Sequence, residues 1–195
     1  MNDQPKTPPI AEDWTPELEE LRFRRAEAAK LGGAEAVARH HDQGRLTIRE
    51  RVDGLVDRGT FREIGGLTGK GRYEGPRLTG VTPAPYVMGL AEIDGRPVAV
   101  GGEDFTIRGG VSWSGDRKKG GQGGFVEDLA SSYRIPLVNL IDGAGGSVGS
   151  IQRRGHAVFP DVHGFERSVE LLGKVPVVCA VMGTEAGGPA GRAIL

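Results

Sequence analysis

The chain has 195 residues, and its 25 Lys and Arg nearly balance 26 Asp and Glu, for a formal net charge of −1 at pH 7. That length fits one domain, or one domain with an extension, and the balanced charge carries no nucleic-acid or polyanion signal. A single cysteine, Cys179, excludes an intramolecular disulfide framework and a multi-cysteine zinc site. Glycine is the outlier: 33 residues, more than twice the usual level of roughly 7%. The glycines are not periodic and apolar runs lie between them, so the chain reads as loop-rich, with backbone brought close to something. The N-terminus lacks an apolar signal core and no apolar run reaches membrane-spanning length, so a cytoplasmic, membrane-free protein is expected.

Residues 1 to about 13 are polar and proline-rich and are expected to form a mobile tail. Thr15-Pro16-Glu17 opens a helix, with Thr15 as N-cap, that continues through Leu18 and Leu21 to Lys30 and stops at Gly32-Gly33. Ala34 to His41 forms a second short helical piece, with His40 and His41 read as surface residues. Together, residues 1–43 read as a tail and helical arm that packs on another body. Thr47 and Glu50 then form a capping box, and Ile48, Val52, Leu55 and Val56 line one helical face that ends at Gly59. Asp94-Gly95 between Tyr86–Ile93 and Pro97–Val100 predicts a hairpin.

A glycine concentration from Gly109 to Gly124 contains Lys118 and Lys119. The next helix carries Phe125, Leu129 and Tyr133 on one face with Val126 and Ala130. Two similar segments follow. Residues 135–142 form an apolar strand ending in Gly143-Ala144-Gly145-Gly146, and residues 175–182 form another ending in Gly183-Thr184-Glu185-Ala186-Gly187-Gly188. Between them, Gly164 to Leu172 is helical, with Phe165, Val169 and Leu172 expected inward. Strands alternating with helices predict an α/β fold with a partly parallel sheet. Pro189 to Leu195 reads as a helix that has barely started, so the chain is expected to be part of something longer or a truncated product.

A strand that empties into paired glycines exposes backbone N–H groups, and two such loops can hold an oxyanion between them. Either loop alone is equally a tight strand-to-helix turn. Side-chain machinery is sparse. Ser147 and Ser150 lack a nucleophile elbow, and His156 and His163, flanking Phe159-Pro160, lack a third metal ligand at suitable spacing. Cys179 reads as a small buried hydrophobe. Asp142 suits a cap on loop amides, and Glu185 reads as a solvated turn residue. Lys118 and Lys119 fit a phosphate and a solvated loop about equally well.

Taken together, the motifs resemble the carboxyltransferase β subunit of biotin-dependent acyl-CoA carboxylases of the propionyl-CoA and methylcrotonyl-CoA type. The matching stretches are Gly44-Arg45-Leu46-Thr47-Ile48-Arg49-Glu50-Arg51-Val52, Gly95-Arg96-Pro97-Val98-Ala99-Val100 with Asp104-Phe105-Thr106, Ile135-Pro136-Leu137 through Gly145-Gly146, and Met182-Gly183 through Gly187-Gly188. They occur in family order from about residue 40 onward. The family pattern D-S-G-G-A-R is replaced by Asp142-Gly143-Ala144-Gly145-Gly146-Ser147, and P-C-A-G-G-A by Thr184-Glu185-Ala186-Gly187-Gly188-Pro189.

The resemblance implies a crotonase-like superhelix of repeated β-β-α turns, incomplete at its C-terminus, with residues 44–195 forming part of an N-terminal, acyl-CoA-binding domain. It implies carboxyl transfer from carboxybiotin to the α-carbon of an acyl-CoA, the enolate being held by amides of Gly145 or Gly146 and of Gly187 or Gly188. Lys118, Lys119, Ala144 and Ala186 are the implied CoA contacts. No metal is expected. Biotin would reside on a separate carrier, and biotin carboxylase, the carrier subunit and further copies of a full-length subunit would be the partners, so this chain would not be competent alone. Alternatives on the same scaffold are a biotin-dependent acyl-CoA decarboxylase subunit and a non-catalytic CoA-binding or assembly remnant. A dinucleotide-binding protein is a more distant reading.

Overall fold

The Asp94-Gly95 turn closes its hairpin as its residue types require: both residues take positive φ, 50° and 71°, which matches the right-handed twist of the flanking strands. The computed structural model describes residues 13–111, 114–119, 124–146, 148–156 and 162–195. The expected N-terminal tail, Gly120 to Gly123, Ser147 and Phe159-Pro160 lie outside the described residues.

In chain order the elements are α1 (Thr15–Ala29), α2 (Ala34–Asp42), α3 (Ile48–Leu55), β1 (Arg62–Glu63), β2 (Gly69–Glu74), β3 (Arg77–Pro83), β4 (Tyr86–Ile93) and β5 (Arg96–Glu103). A 3-10 turn (Arg108–Gly110) follows, then α4 (Ser114–Arg117), α5 (Val126–Tyr133), β6 (Leu137–Ile141), α6 (Val148–Arg154), α7 (Val162–Leu171), β7 (Val177–Val181) and α8 (Gly188–Ala193).

The main sheet has the order β1-β4-β5-β6-β7, antiparallel across β1/β4 and β4/β5 and parallel across β5/β6 and β6/β7. The expected α/β class with a partly parallel sheet is what forms. The chain runs β4–β5–α5 as one β-β-α turn, and β6 and β7 are each followed by helix. Parallel pairing sets Leu137 beside Val177 and Ile141 beside Val181. The C-terminal ends of β6 and β7 are therefore level, and both glycine loops leave the same end of the sheet.

Period-two alternation along β5 divides the core. Val98 and Val100 face α3, packing with Ile48, Val52, Val87, Ala91 and Leu140. Ala99 faces the other way, with Tyr86, Met88, Val126, Ala130, Leu137 and Leu171. Gly102 lets α3 approach the sheet. A Cβ there would lie 2.4 Å from Ile48 Cδ1 and 2.5 Å from the Leu140 carbonyl oxygen.

Several local expectations are corrected. α1 begins at Thr15 with Trp14 at the cap position and no side-chain cap bond, and Asp13 accepts from the Thr15 amide at 2.9 Å. The arm lies against its own chain: Gly32 N–H donates to Thr106 Oγ1 at 2.9 Å, and Arg24 bonds to Tyr73. The β2–β3 hairpin, turning at Gly75, was not anticipated, because its strands carry few apolar residues. His40 is buried, not superficial: its Nε2 lies 3.1 Å from the Leu46 carbonyl oxygen and its ring stacks on Phe105. On α7 the inward face is offset by one residue. Leu171 is buried while Val169 and Leu172 are exposed, because α7 packs on α5 and α8. Tyr133, at the end of α5, is also exposed. Among the described residues no helix is long and apolar enough to cross a membrane.

The capping box at α3 is present in full. Thr47 N–H donates to Glu50 Oε2 at 2.7 Å, and Glu50 N–H donates to Thr47 Oγ1 at 3.4 Å. The bond to His41, followed by those to Thr47, holds the Glu50 pKa down at about 2, below its ordinary 4.5. A depressed carboxyl pKa stabilises the fold above pH 4.5, and that stability is lost as pH falls toward 2. Glu50→Gln should therefore flatten the acid limb of a stability–pH curve in that window, read by urea melts. Ile48→Ala, which empties a buried position between α3 and the sheet, should lower stability by about 2–5 kcal/mol in the same melts.

Candidate functional site

Because β6 and β7 end level, their loops touch. Met182 N–H donates to the Ile141 carbonyl at 2.8 Å, and Ala186 N–H donates to the Gly143 carbonyl at 3.3 Å. The closest approach is at Gly145, whose φ is +70°. A Cβ there would lie 1.8 Å from the Ala186 carbonyl oxygen and 2.9 Å from the Gly187 nitrogen. Both the conformation and the contact demand glycine. Gly187, with φ of +61°, is the cap of α8, and Pro189 stands in its first turn.

The amides of these loops divide into two groups. Ala144 N–H donates to the Gly109 carbonyl at 2.9 Å, Gly146 N–H to the Ala144 carbonyl at 2.8 Å, and Gly143 N–H to Glu185. Among the described residues, the amides of Gly145, Gly187 and Gly188 donate to no protein acceptor, and neither do those of Gly183, Thr184 and Glu185; Gly145 and Gly187 are the pair that the loop contact brings together. The sequence placed Gly145 and Gly146 on an equal footing; the local turn engages the Gly146 amide. Beside loop residue Gly109 lies a cavity of about 310 Å³ lined by Arg39, His40, Gln43, Phe105, Thr106 and Arg108.

Buried charge holds the loops from beneath. Asp142, 0% exposed, forms an ion pair with Arg51 at 2.7 Å and a longer one with Arg45 at 3.8 Å. Arg45 in turn lies over the Phe105 ring. A Cβ on Gly183 would lie 2.3 Å from Asp142 Oδ1, so the second loop rests on the same carboxylate. Buried Arg192 on α8 reaches back to buried Glu103 at the end of β5.

Neither acidic loop residue takes its expected role. Asp142 is an ion-pair partner, whereas Glu185, read from sequence as a solvated turn residue, is half-buried and accepts the Gly143 N–H on both oxygens, at 3.2 and 3.3 Å. Burial pushes the Glu185 pKa up to about 7 from 4.5, and Asp142 adds to the rise, against the Gly143 hydrogen bond and Arg51. Arg45, Arg51, Glu103 and Arg192 were not singled out as site residues. The available signal was Arg51 falling beside Val52 on an amphipathic helix, where an arginine is buried only with a partner.

Lys118 is exposed, whereas Lys119 is buried against Gly65, and its pKa is pushed down to about 8 by burial despite Glu63 and Asp116. Ala144 is half-buried and Ala186 exposed. Cys179 is half-buried between Asn139 and the Arg192 carbonyl, and burial pushes its thiol pKa up, which opposes a nucleophilic role. His156 is exposed, and the side chains of Ser150 and His163 lie outside the described residues. Among the described residues no three His, Cys, Asp or Glu side chains gather as a metal site.

Comparison with known proteins gives this geometry a family. Residues 39–193 match the carboxyl transferase domain model. The carboxyltransferase subunit of propionyl-CoA carboxylase from Haloferax mediterranei is 36% identical over 173 residues, covering 88% of this chain and 32% of that protein. The mitochondrial methylcrotonoyl-CoA carboxylase β chain of Arabidopsis thaliana is 31% identical, covering 86% of this chain and 28% of its own. Among solved structures, the transcarboxylase 12S hexamer core with methylmalonyl-CoA bound superposes with a TM-score of 0.72 at 28% identity, over 94% of this chain and 35% of that one. The chain thus spans about a third of the length of the curated relatives it matches. By sequence and by fold, the chain belongs to the carboxyl transferase domain family of biotin-dependent acyl-CoA carboxylase β subunits.

Proposed function

We propose that the chain forms the acyl-CoA side of a carboxyltransferase, which moves a carboxyl group from carboxybiotin to the α-carbon of an acyl-CoA. The observation that carries this reading is the contact of Gly145 with Ala186 and Gly187, which sets uncommitted amides from two loops side by side. Removal of the α-proton, which passes to the ureido nitrogen as the carboxyl group leaves it, builds negative charge on the thioester oxygen. The amides of Gly145, with Gly187 or Gly188, would hold that oxygen, while Gly146 contributes the shape of the turn. Fixed backbone donors need no reorganisation as charge develops, and one such donor is typically worth about 3–4 kcal/mol of barrier.

Lys118, exposed, would meet a CoA phosphate, and Ala144 and Ala186 would flank the thioester; buried Lys119 would act by supporting the loop. Methylmalonyl-CoA in the transcarboxylase relative supports the substrate class, and that relative's hexamer supports a homo-oligomeric assembly. Biotin carboxylase and a biotin carrier would deliver the carboxyl donor in the cytoplasm. In this reading residues 1–43 are the arm and 44–195 the domain.

Gly188 offers a clean test, since a Cβ there meets nothing within 4 Å. Gly188→Ala should leave the melting temperature unchanged or slightly raised and weaken acyl-CoA binding at least tenfold, measured by calorimetry. Unchanged binding would sink the proposed site. Release of labelled CO2 from malonyl-type CoA, without the reverse transfer, would point to a decarboxylase instead.

A further inference from the structure

We propose that Glu185 is a positioning residue that clasps the two glycine loops together, and that the clasp loosens when Glu185 ionises. The inference deepens the oxyanion-site reading by naming what sets the spacing of its donors, and its catalytic consequence rests on that reading. The clasp is reciprocal. The Glu185 carboxyl, from the second loop, accepts the Gly143 N–H of the first, and the next amide, Ala186 N–H, donates back to the Gly143 carbonyl at 3.3 Å. Two residues further along the first loop, Gly145 presses on Ala186 and Gly187. Any change at the Glu185–Gly143 bond is thus delivered directly to the uncommitted amides.

The charged groups around Glu185 are Asp142, at the head of the first loop, and Arg51, on α3, with Arg45 reaching the same carboxylate. Glu103 and Arg192 close the floor beneath Gly143 and are paired with each other. Arg51 and Arg45 both serve Asp142, so among the described residues Glu185 has no dedicated cation, and it has a carboxylate neighbour.

The sign follows from linkage. Closing the clasp buries Glu185 and raises its pKa to about 7, whereas an open, solvated glutamate titrates near 4.5. Ionisation strengthens the N–H···O bond itself, but burial and the Asp142 charge outweigh it, so the closed form binds the proton more tightly and the preference for closure is lost as pH rises from 4.5 to 7. The same carboxyl favours the folded chain most below pH 4.5 and loses that contribution as pH rises to 7. Glutamine keeps the acceptor oxygen without the charge, so Glu185→Gln should hold the loops closed at every pH.

The test is amide hydrogen exchange at Gly143 by NMR on the full chain, with protection normalised to the intrinsic rate, between pH 5.5 and 8.5. In the native protein, protection should fall about tenfold or more between pH 5.5 and 7 and level off above that. In Glu185→Gln it should stay high and flat, and in Glu185→Ala low and flat. Native protection that ignores pH, or a Glu185→Gln profile that follows the native one, would overturn the clasp. Propionyl-CoA binding measured on the same samples separates the two claims. If the exchange result holds and propionyl-CoA does not bind, the clasp stands and the proposed substrate fails.

Discussion

A carboxylate withdrawn wholly from water must be compensated, and Asp142 is compensated by Arg51 at 2.7 Å, with Arg45 further off. That ion pair joins three parts of the molecule. Arg51 belongs to α3, Asp142 ends β6, and Gly183 of the second loop lies against the Asp142 carboxylate. The helix that covers one face of the sheet is therefore also the element that positions both glycine loops. The capping box that starts α3 and the Gly102 notch that admits Ile48 act on the loops at one remove.

Parallel pairing supplies the second constraint. With Ile141 level with Val181, the chain leaves both strands at one height, and each loop must turn in the space left by the other. Only backbone fits at the contact: the Gly145 position has neither room for a methyl group nor a conformation that welcomes one. The glycine richness of the chain acquires a physical meaning at this point. Small residues permit two turns to pack backbone against backbone, and at this packing the Gly145 and Gly187 amides have no acceptor among the described residues.

Local signals in the sequence were strong where neighbouring residues decide the structure. The Thr47–Glu50 capping box, the Asp94-Gly95 hairpin and the two apolar strands were readable because their cues lie within a few residues. Long-range electrostatics were not readable in that way. Arg51 and Asp142 are 91 residues apart in number, and nothing near either one names the other. Glu185 departs from its expected solvated place for the same reason: a glutamate in a glycine loop is ordinarily solvated, and only the arrival of Gly143 from the other loop buries it. His40 followed suit, since its place beneath Phe105 depends on how α2 folds back on the 104–106 turn. The β2–β3 hairpin offers no such cue, because Tyr73, Leu78 and Val81 are scattered among polar residues and glycines without alternation.

The central claim is that Gly145 with Gly187 or Gly188 donates to the oxygen of an acyl-CoA thioester. It is tested most directly by isotope-edited infrared spectroscopy of propionyl-CoA labelled at the thioester carbonyl. Two backbone donors converging on that oxygen weaken the C=O bond, so the account predicts a carbonyl band moved to lower wavenumber when the ligand is bound to the chain. A bound ligand whose carbonyl band stays at its position in water, or moves to higher wavenumber as in an apolar pocket, would contradict it.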